Sequence, residues 1–231
     1  MKKTVIYAGT RNLYPLMEVP LKSLLANNVI DQVYLLIEDD EFPTQLPKNV
    51  KTINVSGQQW FDKTGPNYKS YFTYMTLMRN ALTKLLPEEK RVIWLDVDTI
   101  VDDDISELFE MDMKDYCYGA AIELAKSNEV FRYHNAGVLV INLEKIRELA
   151  LDDPMIHYLN THKLQYPDQD VINLMFQPWI KTIPSAYNST VFTPWSDIRR
   201  IVHYAGISDW KNFELYKMYE CLPLGLEADK E

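Results

Sequence analysis

The chain has 231 residues, with 33 acidic against 24 basic side chains and a formal net charge of −9. That balance argues against a nucleic-acid binder, whose affinity comes from cations laid along phosphates, and a 47% hydrophobic, 25% charged composition argues against disorder. Seven glycines, no two closer than eight residues, leave neither a G-x-G-x-x-G nor a G-x-x-x-x-G-K-[ST] loop, so no glycine-rich turn is available to cradle a phosphate.

In chain order, residues 3–8 read as a strand, 15–27 as a helix, and 32–38 and 50–55 as two further strands. The run 70–86 carries Met75, Leu77, Met78, Leu82 and Leu85 and predicts a long helix that stops at Pro87. Residues 91–95 follow as a buried strand. Strands are expected at 118–123 and 137–142, helices at 143–150 and 168–176, and a closing helix at 210–221. Strand–helix alternation of this kind implies an α/β fold around a mainly parallel sheet. Cys117 and Cys221 are too few for a disulfide framework and lack metal-ligand spacing, so two free core thiols are expected. The apolar run Val5-Ile6-Tyr7-Ala8 is shorter than the ~7–15 residues of a signal-peptide core. No stretch approaches the ~18 apolar residues of a spanning helix, and a soluble, cytoplasmic chain without an intrinsic membrane segment is the expectation.

The most informative segment is Arg91-Val-Ile-Trp-Leu-Asp96-Val-Asp98-Thr99, where an apolar strand runs straight into two carboxylates one residue apart. In extended chain, residues i and i+2 point to the same side, so Asp96 and Asp98 can converge on one point. At the carboxyl end of a parallel strand that point is where α/β sheets bind ligands. Two like charges so placed repel unless a cation lies between them, and a divalent metal is the common solution. Two enzyme classes share the local pattern. In D-x-D-x-T phosphatases of the haloacid-dehalogenase type it supplies a nucleophile and an acid/base; in GT-A nucleotide-sugar glycosyltransferases it holds the metal that bridges the donor diphosphate. The phosphatase motif opens its domain, whereas here about 90 residues of strand–helix alternation come first.

Three later segments complete the pattern: His134-Asn135-Ala-Gly137-Val-Leu-Val-Ile-Asn142-Leu143, then Asp168-Gln169-Asp170-Val-Ile-Asn173, then His203-Tyr-Ala-Gly206. Taken alone, an acid near 168 could simply cap a helix, and His203 could be a core histidine. Together with Leu95-Asp96-Val-Asp98, and in this order, they resemble glycosyltransferase family 8, which includes glycogenin and lipopolysaccharide galactosyltransferases. The resemblance runs from Val5 to Trp210.

It implies a single GT-A-type domain, with a nucleotide-binding half over 1–98 and a sugar- and acceptor-binding half over 99–231. It implies a UDP-sugar donor, a divalent metal (Mn²⁺ or Mg²⁺) held by Asp96, Asp98 and His203, and a carbohydrate or glycoconjugate acceptor. Ala8, Thr10 and Asn12 would meet the nucleotide, with Val97 and Gly206 also on the donor. Arg79, Glu123, Asn135 and Gly137 would meet the sugar or phosphates. Gln169 would position or stabilise the reacting sugar, and Asp168 and Asp170 are the candidate catalytic carboxylates in a retaining transfer. The chain also departs from the family pattern. Where relatives read H-x-x-G-x-x-K-P-W it has Asp209-Trp210, and in place of Y-x-R it has Tyr74-Met-Thr76, with Arg79 three residues further on. Thr10 and Arg11 stand where relatives place acids. A phosphatase, or a UDP-sugar-binding protein that has lost transfer, are the alternatives. Residues 187–195 read as a packed irregular segment or an acceptor-side loop, and the acidic end 227–231 gives no attraction to anionic lipid.

Overall fold

The computed structural model describes residues 2–69 and 72–224. Among them the strands are β1 (Thr4–Ala8), β2 (Gln32–Ile37), β3 (Val50–Asn54), β4 (Arg91–Leu95), β5 (Thr99–Val101), β6 (Tyr118–Ile122), β7 (His134–Asn142), β8 (Ile180–Thr182) and β9 (Ile201–His203). The α-helices are α1 (Tyr14–Asn27), α2 (Leu82–Leu85), α3 (Ser106–Glu110), α4 (Leu143–Glu148), α5 (Asp152–Thr161), α6 (Pro167–Met175) and α7 (Glu214–Glu220). Seven strands form one sheet in the order β3-β2-β1-β4-β7-β6-β8, and β5 pairs with β9 in a separate ribbon. The pairs among β1 to β4 and β6–β8 are parallel, while β7 is antiparallel to both its neighbours.

Both faces of the sheet are covered, and β4 shows how. Val92 and Trp94 pack into one apolar cluster with Tyr118, Phe176 and Leu139; Ile93 and Leu95 pack into the opposite one with Tyr7, Met17 and Val138. The period-2 alternation of a strand thus feeds two cores, which is why the strand sequence is apolar throughout. Where this strand leaves the core, its next residues, Asp96 onward, emerge at the carboxyl edge beside the end of β1. No helix among the described residues is long and apolar enough to cross a membrane.

The α/β architecture and the mainly parallel sheet are as expected; the short elements α3, β5, β8 and β9 are additional to the expected ones, and other details differ. Of the long helix expected at 70–86, residues 70–71 lie outside the described residues. The rest is a turn, a 3-10 segment (Thr76–Ala81) and the single turn α2. Thr73 has φ of 60°, a left-handed conformation that no right-handed helix can contain. Strand β7 begins at His134, three residues earlier than expected, so the polar His134-Asn135 pair lies buried within it. Helix α5 was not anticipated, although its acid-rich first turn Asp152-Asp153-Pro154 is a helix-start signal. Of the two free thiols, Cys117 is buried, but Cys221 is exposed rather than in the core.

Candidate functional site

A cavity of about 470 Å³ lies at the carboxyl edge of β4. Asp96 follows β4 directly, and its N–H donates to the Gly137 carbonyl of β7 at 2.8 Å. Asp98 precedes β5. The β5–β9 register sets Thr99 opposite His203, and the Tyr204 N–H donates to the Asp98 carbonyl at 2.9 Å. The ribbon therefore carries His203, a hundred residues away in sequence, to the paired carboxylates. One ligand atom each from Asp96, Asp98 and His203 lie within 4.8 Å of one another. His203 Nε2 is 3.2 Å from Asp98 Oδ1. Burial alone would push the imidazole pKa down, but the carboxylates of Asp98 and then Asp96 outweigh it and raise it. For Asp98, burial pushes the other way, yet the facing imidazole holds its carboxyl below the usual range.

Arg79 is the cavity's buried cation. Its side chain is 1% exposed and lies 2.6 Å from Asp96 and 3.1 Å from Asp168. It also donates to the Ala136 carbonyl and stacks 4.6 Å from the Trp94 ring centroid. Trp94 Nε1–H in turn donates to Asp96 Oδ1 at 2.8 Å. The 3-10 winding of 76–81 directs this guanidinium to the sheet edge. Asp168, at the start of α6, is 7% exposed, and burial raises its pKa despite Arg79.

On the other wall, Gln169 accepts from the Ala136 N–H at 2.8 Å and donates to Glu123 Oε2 at 3.0 Å. Asn135 donates to the same oxygen at 3.2 Å, while Lys126 pairs with Glu123 Oε1 at 3.0 Å and sits over the Tyr166 ring. The structure thus brings Arg79, Asp96, Asp98, Glu123, Asn135, Gly137, Asp168, Gln169, His203 and Gly206 to one cavity.

It does not bring the remaining candidates there. Asp170 lies outside the cavity lining, because its carboxylate accepts from the Tyr133 hydroxyl and from the Gln165 and Tyr166 N–H groups, closing the start of α6. Ala8, Thr10 and Asn12 follow or flank the end of β1, on the same sheet edge but outside the lining, and Val97 turns into the core. Thr10 donates to Asn12 at 2.6 Å. Arg11 pairs with Asp39, which follows β2. Residues that the sequence did not single out also line the cavity: Phe72, Tyr166, Lys126 and Phe192. Phe192 packs 3.5 Å from where a Cβ on Gly206 would stand, and Gly206 has φ of 74°. Within 187–195, Tyr187 is buried, whereas Trp195 is 78% exposed.

A sequence profile of glycosyl transferase family 8 matches residues 5–209. The glycosyltransferase GlyE of Streptococcus pneumoniae serotype 4 is 28% identical over 201 residues, covering 81% of this chain and 48% of the relative. The lipopolysaccharide 1,2-glucosyltransferase of Escherichia coli is 32% identical over 161 residues, 53% of this chain and 46% of the relative. The chain spans about half the length of the curated relatives it matches. In fold it is similar to the crystal structure of GlyE, with a TM-score of 0.73 at 21% identity over 97% of this chain and 61% of that one. It is also similar to the galactosyltransferase LgtC in complex with donor and acceptor sugar analogues, with a TM-score of 0.70 at 19% identity over 94% and 95% of the two chains. These matches leave the phosphatase alternative without support. From β1 through the Asp96–Asp98 turn to the segment after β9, the profile follows every element that builds the cavity, and the chain belongs to glycosyl transferase family 8.

Proposed function

We propose that the chain is a metal-dependent, retaining hexosyltransferase that moves a sugar from a UDP-sugar to a hydroxyl of a carbohydrate or glycoconjugate acceptor. The observation that carries this reading is the convergence of Asp96, Asp98 and His203 in a cavity that also holds Arg79, Asp168 and Gln169. About 470 Å³ lies in the range of small-molecule sites. A fold relative is described as a complex with donor and acceptor sugar analogues, which supports both substrates meeting in one such site.

The residues fit a divalent metal. Two carboxylates and one imidazole form an oxygen-rich donor set suited to Mn²⁺ or Mg²⁺. Gly137 makes the seat for the imidazole, since a Cβ there would stand 2.0 Å from His203 Cε1. When bound, the metal supplies a Lewis acid for the charge developing on the diphosphate leaving group. The chain's own groups do the rest. Arg79 is held by Asp96 and Asp168 with no freedom to swing, so it presents a fixed positive charge that needs no reorganisation. Gln169 is locked at both ends of its amide, which suits a group that orients the reacting sugar. Of the two candidate carboxylates, Asp168 lines the cavity and is the one within reach of a sugar, while Asp170 is committed to the α6 start. The nucleotide is assigned to the 1–98 half, against the ends of β1 and β2. The sugar and acceptor are assigned to the 99–231 half, within one domain of cytoplasmic location.

Retention is tested by the anomer first formed when water replaces the acceptor, followed by NMR on a UDP-α-hexose. The α-hexose is expected, and initial formation of the β-hexose would overturn the retaining assignment.

A further inference from the structure

Behind His203 lies Asn188, a fully buried residue that follows the 3-10 turn Ser185–Tyr187 and touches neither cavity nor solvent. Its segment is clamped alongside β9, the Ser189 N–H donating to the Ile201 carbonyl at 2.9 Å and the His203 N–H to the Ser189 carbonyl at 3.0 Å. Its side chain bridges Asn135 Oδ1, at 2.9 Å, and His203 Nδ1, at 2.8 Å.

The donor and acceptor identities along this bridge are forced. The Gly137 backbone N–H can only donate, and it meets the Asn135 side chain at 2.9 Å, so that atom is the amide oxygen. The other end of Asn135 is then its NH₂, which faces the Glu123 carboxyl group, itself paired with Lys126. The Asn188 atom facing the Asn135 oxygen must be an NH₂, and therefore the Asn188 atom facing the imidazole is an oxygen. An amide oxygen only accepts, so Nδ1 of His203 carries a hydrogen. The lone pair of the neutral ring is left on Nε2, the nitrogen that faces Asp98.

We infer that Asn188 is a positioning residue that fixes the tautomer of His203, making Nε2 the metal-binding nitrogen and tying the ring to the sugar-side carboxylate Glu123 through Asn135. Imidazole ligands whose other nitrogen is held in this way keep both orientation and basicity, and loss of the partner costs about 10–100-fold in metal affinity. The metal half of the inference rests on the proposed metal site; the tautomer half does not.

The test uses the full chain labelled with ¹⁵N-histidine, free of metal and at a pH where the rings are neutral. The His203 signal is identified by its loss in His203→Gln. Long-range ¹H–¹⁵N correlation is expected to show the Nδ1–H form in the wild type and in Asn188→Asp, which keeps an acceptor at the same place. In Asn188→Leu the ring is expected to turn to the Nε2–H form, which Asp98 accepts, and Mn²⁺ affinity to fall about 10–100-fold. A wild-type ring in the Nε2–H form overturns the inference, whether or not the leucine variant folds. So does a folded Asn188→Leu that keeps the Nδ1–H form. A wild type with the Nδ1–H form but no Mn²⁺ binding sinks the metal reading of the site and leaves the tautomer assignment standing.

Discussion

Gly137→Ala is the smallest change that should dismantle the proposed metal site without touching a ligand. A Cβ at 137 would stand 2.0 Å from Cε1, 2.6 Å from Nδ1 and 2.8 Å from Nε2 of His203. Carbon–carbon contacts are favourable at about 3.5–4.0 Å, so the ring must retreat by roughly 1.5 Å or β7 must shift by as much. The ring has nowhere to go: it is 5% exposed, with Asn188 on one nitrogen and Asp98 on the other. Metal–ligand distances tolerate only about ±0.2 Å, so a retreat several times larger removes the imidazole from the donor set. We expect Mn²⁺ affinity, read by titration calorimetry or by the EPR signal of free Mn²⁺, to fall about 100-fold or more. Overpacking should cost about 1–3 kcal/mol in urea denaturation. Gly57→Ala, where nothing lies within 4 Å of the added carbon, is the control and should leave Mn²⁺ binding unchanged. A folded Gly137→Ala protein that binds Mn²⁺ as the wild type does would show that Gly137 is not the seat of a metal-binding imidazole.

Arg79→Met leaves Asp96 and the buried Asp168 without their shared cation, and should lower the stability of the metal-free protein by about 3–5 kcal/mol. A loss below about 1 kcal/mol in denaturant unfolding would contradict the hub assigned to Arg79. Gln169→Ala should lower kcat for UDP release more than it weakens UDP binding by calorimetry; equal losses would count against a role at the sugar. Asp152, at the start of α5, is hydrogen-bonded by Thr83 and paired with Lys84, and these partners outweigh burial to hold its carboxyl below the usual range. A depressed folded pKa means stability present above the unfolded value of about 3.9 and lost as pH falls through the folded one. Asp152→Asn should therefore destabilise at neutral pH, with the difference closing in acid; a pH-independent difference in thermal melts would contradict the pairing.

Asp96 and Asp98 were legible in the sequence because an apolar strand that ends in alternating carboxylates has few bland explanations. The order of the later motifs then pointed to His203, Gln169 and Asn135. What proved unreadable had physical causes. Three-residue strands such as β5 and β9 carry no periodicity, so nothing showed that a ribbon would set His203 opposite Thr99. The apolar run 75–85 mimicked a helix because a buried 3-10 segment also shows one apolar side; the φ of Thr73 that breaks it is a tertiary outcome. Asp168 and Asp170 look alike in sequence, and only the folded chain shows one lining a cavity while the other accepts N–H groups that precede its helix. Asn188 stood in a segment read as irregular, with no motif to mark it. Its role depends on which atom of an amide faces which neighbour, and that is a property of the fold.

UDP release from a panel of UDP-hexoses reads metal-dependent transfer from a UDP-sugar. We expect UDP release from at least one donor in Mn²⁺, its loss in EDTA with recovery on adding Mn²⁺ back, and its loss in Asp98→Asn. Undiminished release in EDTA or in Asp98→Asn would contradict the metal site, and Mn²⁺-dependent binding of UDP-sugars without any release would contradict the transferase.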